Sequence, residues 1–115
     1  MRSDHLLLRD ILEPIAELGR YLPPDRSAFD SNPLLQSHVH RHVMIIGEAA
    51  CRLSKATKAE APDVPWRRIE GMRHILVHGY FKVDWNEIYT TAHKDVPALK
   101  PQIEYLLKKL GDETP

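Results

Sequence analysis

The chain has 115 residues, 43% apolar and 28% charged, with 16 Lys plus Arg against 16 Asp plus Glu. Such a length suits one domain (1–115, with 111–115 expected as a disordered tail) whose core needs neither disulfides nor a structural metal, and the balanced charge excludes broad attraction of phosphate. The single cysteine, Cys51, excludes an intramolecular disulfide framework and a Cys-rich zinc module and points to a reducing compartment. The opening Met-Arg-Ser-Asp-His leads into a charged, interrupted apolar stretch that reads as neither a signal peptide nor a membrane span, so the expected location is the cytoplasm.

The first predicted element is a helix over Asp4 to Leu22, because Leu7, Ile11, Ile15, Leu18 and Leu22 recur at helical spacing. Ser3 or Asp4 suits its N-cap, Pro14 predicts a kink or break, and Pro23-Pro24 ends it. Asp25 to Pro33, with a lone Phe29, reads as a short helical turn or a loop. The longest helical signal runs from Leu34 to about Thr57, with Val39, Val43, Ile46, Ala50 and Leu53 as the seam of the core. Met44, Ile45 and Ala49 widen its apolar arc, so this helix should touch more than one neighbour, a second subunit being one option.

A loop with Pro62 and Pro65 leads to a third helix over Pro65 to His78, where Gly79 is placed to cap it. Asp84 then suits the N-cap of a final region running to Leu110, interrupted near Asp95 to Pro97, with Leu99, Ile103, Leu106 and Leu110 as its buried stripe. No strand-period alternation persists and there is no internal repeat. The expected class is all-α: a bundle of four main helices plus short helical segments.

Chemistry concentrates in Gly71-Met72-Arg73-His74-Ile75-Leu76-Val77-His78-Gly79-Tyr80-Phe81, which gathers a guanidinium, two imidazoles and a phenol. On an ideal helix Arg73 and Tyr80 nearly share a face and His74 lies one turn from His78, whereas Arg73 and His78 stand about 140° apart. A shared substrate would bridge that gap. At a helix C-terminus, His78 is favoured in its protonated form. Histidine can take the proton of a ribose 2′-hydroxyl and arginine can hold the charge developing on phosphate, so the pair suffices for RNA cleavage without a metal. Spacing alone leaves a plainer reading open, with Arg73 in a surface ion pair, His78 at a helix cap and Tyr80 packed on the core.

Elsewhere, His38 and His42 share a helix face at i,i+4 spacing while His40 points away. They form a candidate metal pair, but no Asp or Glu within four residues completes it, which favours a solvated or partly buried face or an interface. Cys51 reads as a small core residue. Trp66 and Trp85 read as helix-end anchors more readily than as base-stacking platforms, and Arg67-Arg68 with Arg73 form a local positive patch.

The residues Arg73, His78 and Tyr80 match the Arg-x4-His-x-Tyr signature of the HepT-like family of minimal HEPN domains. Further similar stretches stand around it in order: Ile45 to Ala50, Pro65-Trp66-Arg67, Gly71-Met72-Arg73, His78 to Phe81 with Val83-Asp84, and Asp95 to Leu99. The chain resembles that family over most of its length. The resemblance implies an all-helical HEPN bundle that forms a homodimer and acts as a metal-independent, cofactor-free endoribonuclease, with Arg73 and His78 as its catalytic pair and RNA, tRNA among the candidates, as substrate. It further implies a toxin role in a toxin–antitoxin pair, silenced when a cognate MNT-type nucleotidyltransferase antitoxin adenylylates Tyr80. The position after the arginine is most often Asn in such proteins and is His74 here, which leaves open whether His74 orients the site or adds a second titratable group. Glu48 is expected to approach Arg73 from the long helix. The alternative is a non-catalytic nucleotide-binding or interaction module that binds the nucleotidyltransferase.

Overall fold

The computed structural model describes residues 2–74 and 84–111, and among them every regular element is helical. Helix α1 spans Asp4–Tyr21; Ser3 caps it by accepting from the Leu6 amide, and Leu7, Leu8, Ile11, Ile15 and Leu18 form its buried face. It runs unbroken through Pro14 rather than splitting there. A proline withdraws one amide from the ladder, and Pro14 is itself buried between Ile11 and Ile15, so packing holds the turn that the ladder loses.

Helix α2, Arg26–Asp30, is the short turn expected there; Asp25 caps it and Phe29 is fully buried against Tyr89 and Trp85. Helix α3, Pro33–Arg52, starts with Asn32 as N-cap and Pro33 in the first turn. Val39, Val43, Ile46 and Ala50 form its buried seam, and Ala49 and Leu53 are buried too. This central rod packs on α1 along its length and also meets the segments on either side of it.

The helical signal that ran on to Thr57 is cut at Leu53. Ser54 caps a separate short helix, α4, Lys55–Ala59. The cause is a polar anchor: the Asp4 carboxylate accepts from the Ser54 amide at 3.1 Å and from the hydroxyls of Ser54 and Thr57. An Asp at the start of α1 thereby fixes the corner after α3, and the backbone turns to meet it.

Helix α5, Trp66–Glu70, continues into a 3-10 turn, Gly71–Arg73. The expected helix from Pro65 thus tightens after Glu70; its end at His78, the Gly79 cap and the Tyr80 to Val83 link lie outside the described residues, as does the tail beyond Gly111. Helix α6, Trp85–Thr90, is capped by Asp84, which accepts from the Glu87 amide at 3.1 Å. A π turn, Thr91–Asp95, joins it to helix α7, Val96–Leu110. The expected interruption is therefore a widened turn: the Val96 amide reaches the Thr91 carbonyl, a five-residue step that absorbs the missing amide of Pro97. Leu99, Ile103 and Leu106 are buried on α7, while Leu110 at its end is 45% exposed, unlike the rest of its stripe. No helix among the described residues is long and apolar enough to cross a membrane.

Candidate active site

The site begins with a glycine. Gly47 is buried in the middle of α3, and a Cβ there would lie 2.6 Å from the Arg73 amide nitrogen, 3.0 Å from the Met72 Cβ and 3.2 Å from the Ile69 carbonyl oxygen. No side chain fits. The 3-10 turn therefore rests its backbone directly on α3, and the buried Ile69 and Met72 pin it from the core side. Arg73 is set down at one fixed place on the rim of the bundle.

Its side chain is 38% exposed, and Nη1 stands 3.9 Å from Glu48 Oε2, on a glutamate side chain that is 55% exposed. That is the approach expected from α3, but at a separation beyond hydrogen-bond range and open to solvent, where an ion pair is weak. Glu70, the other carboxylate close by, is taken up by Lys58 at 2.7 Å. Cys51 sits beside them with Sγ 3.7 Å from the Glu70 carbonyl. Burial pushes its thiol pKa up, against the opposing pull of the Arg73 charge, which disfavours the reactive thiolate. It is half-buried at the edge of the core rather than within it.

The remaining expected groups divide sharply. His74 is exposed directly after Arg73. His78 and Tyr80 lie outside the described residues. Arg68 is held by Asp95 through Nε and Nη2 at 3.1 and 3.0 Å, so the positive patch is reduced to Arg67 and Arg73. Trp66 donates its indole N–H toward the Lys58 and Ala61 carbonyls, each at 3.1 Å, and Trp85 packs against Phe29 and His40. Both tryptophans are anchors. Burial lowers the pKa of His40, whose ring faces Trp85, away from the His38 and His42 pair.

Two residues escaped sequence reasoning. Gly47 stood in a recognised stretch, but its role requires knowing which element crosses α3 at that point. Glu17 joins His38 and His42 from α1, a neighbour in space and not in sequence.

The profile of the family described as "Ribonuclease HepT-like" matches residues 11–106. Among curated relatives, "Putative RNase MJ1380" of Methanocaldococcus jannaschii is 33% identical over 104 residues, covering 90% of this chain and 95% of that one. "Putative RNase MJ0125" of the same organism is 32% identical, covering 97% of each chain. "Probable ribonuclease HepT" of Thermococcus cleftensis is 40% identical over 73 residues, 64% of this chain and 66% of that one. No solved structure matches significantly. With a family match across nearly the whole bundle and relatives similar from end to end, the chain belongs to the HepT-like family, a family of ribonucleases.

Proposed function

We propose that this chain is a metal-independent endoribonuclease that cuts RNA, tRNA being one candidate, by transesterification. His78 removes the proton of a ribose 2′-hydroxyl, the 2′-oxygen attacks the adjacent phosphorus, and the 5′-oxygen leaves with a proton, giving a 2′,3′-cyclic phosphate end. Arg73 holds the charge that builds on the phosphoryl oxygens. One histidine serves as base or acid but not both at once, so a homodimer that joins two Arg73 and His78 pairs in one cleft supplies both roles. The observation that carries the reading is the state of Arg73: its backbone is fixed on Gly47, while its guanidinium is half-exposed and only loosely balanced by Glu48. A group so held is ready for an incoming anion.

In the same reading the chain is a toxin controlled by an MNT-type nucleotidyltransferase. That enzyme moves AMP from ATP to the Tyr80 oxygen, with pyrophosphate leaving and the phenol proton passing to solvent. The adenylate adds bulk and negative charge where RNA must enter. His74 and Glu48 are supporting groups, the first beside Arg73 in sequence and the second across from it.

The test is RNA cleavage in chelator by the unmodified protein, Arg73→Ala and His78→Ala, with end-group analysis. Cyclic phosphate ends and a loss of about 10²-fold or more in each variant are expected; equal rates in wild type and His78→Ala would overturn the catalytic assignment. An inactive wild type that still binds the nucleotidyltransferase supports the interaction-module alternative instead. For Tyr80, intact mass after co-expression with the transferase should show adenylate increments that Tyr80→Phe abolishes, and increments persisting in that variant would remove Tyr80 from the role.

A further inference from the structure

On the opposite flank of α3 from the Gly47 contact, three side chains converge that the ribonuclease reading does not use. His38 and His42 lie one turn apart with ring centroids 4.2 Å apart, and Glu17 reaches them from α1, with Oε2 3.9 Å from His38 Nε2. One ligand atom from each of the three residues lies within 4.8 Å of the other two. We propose that Glu17, His38 and His42 form a binding site for a divalent transition-metal ion that clamps α1 to α3, zinc being the type case.

Three features of the geometry support it. First, His42 Nδ1 lies 2.7 Å from the His38 carbonyl oxygen. A carbonyl only accepts, so Nδ1 carries the proton and Nε2 keeps its lone pair, the tautomer a metal-bound histidine adopts when its other nitrogen donates to the backbone. Second, His38 Nε2 is buried and has no hydrogen-bond partner, although the ring as a whole is about a third exposed. An orphaned ring nitrogen is costly, and a metal ion would satisfy it at once. Third, the two oxygens of Glu17 are differentiated: Oε1 accepts from Arg20 at 3.1 Å, which leaves Oε2 turned toward the histidine. Arg20 thus orients the carboxylate while offsetting part of its charge.

Two imidazoles and one carboxylate suit zinc, cobalt, nickel or copper and disfavour magnesium and calcium, which take oxygen ligands. Tetrahedral coordination at 2.0–2.2 Å sets neighbouring ligand atoms about 3.4 Å apart. The ligand atoms now lie within 4.8 Å of one another, so the three side chains draw together on the ion as it binds. The three residues leave the fourth position for water. This proposal is independent of the ribonuclease assignment, and its readouts do not involve RNA.

The experiment titrates chelator-stripped full-length protein with Zn²⁺ alone by calorimetry, and with Co²⁺ alone by visible absorption. Expected are one equivalent bound per chain, a tetrahedral-type cobalt spectrum without a thiolate charge-transfer band, a higher Tm with zinc, and no comparable response to Mg²⁺. His42→Ala and Glu17→Gln should each raise the zinc Kd by about tenfold or more, while Cys51→Ser and His93→Ala, the latter in the π turn with its ring against Tyr89, leave it unchanged. Glu17→Gln keeps the size of the side chain, and circular dichroism of both variants confirms that they fold. Zinc affinity unchanged in both His42→Ala and Glu17→Gln, a thiolate signature, an equal response to Mg²⁺, or no binding by the wild type would each overturn the proposal.

Discussion

Gly47 and Arg73 are in backbone contact: the space for a Cβ on Gly47 is occupied by the Arg73 amide, 2.6 Å from where that carbon would sit. Neither partner can yield through a flexible side-chain end, since one side is a helix interior and the other a peptide nitrogen. Gly47→Ala must therefore push the Gly71–Arg73 turn off α3. The expected cost is about 1–3 kcal/mol in urea unfolding, as for overpacked cores, with RNA cleavage reduced beyond what the lost stability explains. Gly71→Ala is the contrast. Gly71 has φ −66° with open space around it, so alanine there should be neutral or stabilising by up to about 1 kcal/mol. A Gly47→Ala protein as stable and active as wild type would mean that the turn does not depend on this contact.

Asp4 connects the beginning of the chain to the corner after α3. Burial works to raise its pKa, but hydrogen bonds from the Ser54 and Thr57 side chains and the Ser54 amide, helped by the Lys58 charge, bring it below the ordinary carboxylate value. A carboxylate whose folded pKa is depressed stabilises the fold fully above its unfolded pKa, near 3.9, and loses that contribution as pH falls through the folded value. Asp4→Ala should thus cost about 1–2 kcal/mol at pH 7, in the range for hydrogen bonds to a charged group that solvent partly reaches. The gap between wild type and variant should close as the pH drops below about 4. Parallel unfolding curves at neutral and acid pH check this, and a gap of constant size would show that the carboxylate charge contributes nothing.

How far the fold was legible depends on how local each interaction is. The core seams of α1, α3 and α7 could be read because helical periodicity is local, and Val39, Val43, Ile46 and Ala50 are buried as their spacing demanded. The cut between α3 and α4 could not, because nothing near Ser54 reveals that Asp4 will cap it from the far end of the sequence. Pro14 and Pro97 marked places where the backbone ladder is short of a donor but not how each shortage is met, by a buried and continuous helix in one case and a π turn in the other. The approach of Glu48 to Arg73 was expected alongside the family resemblance and not from spacing, and the two stand 3.9 Å apart. Gly47 and Glu17 depend on which helices touch, and that is a tertiary fact.

Trp66 tests whether an aromatic beside the site is structural. Its indole N–H has two carbonyl partners, Lys58 in the last turn of α4 and Ala61 in the link to α5. Trp66→Phe keeps most of the ring's packing and removes the donor, so the expected loss is about 1 kcal/mol of stability. Trp66→Leu, which removes the aromatic face, should leave binding of single-stranded RNA by the folded protein within about twofold, since loss of a stacked base is worth about 1–3 kcal/mol and would show as a larger change. A large drop in RNA affinity with unchanged stability would make Trp66 a base platform instead of an anchor.

Glu48 is the one carboxylate facing the Arg73 guanidinium that has no closer cation of its own among the described residues, Glu70 being taken by Lys58. The pair is long and both side chains are well exposed, so removing the charge should barely change stability: Glu48→Gln is expected within about 0.5 kcal/mol of wild type. Its effect belongs to anions. With the negative neighbour gone, Arg73 offers a stronger field to phosphate, and RNA binding should tighten by a few-fold at low salt, the gain fading as added salt screens the site. If Glu48 also steadies the guanidinium in the catalytic geometry, turnover falls while binding improves, and the two effects separate as a lower KM with a lower kcat. Unchanged binding at every salt concentration would show that Glu48 does not modulate the charge at Arg73.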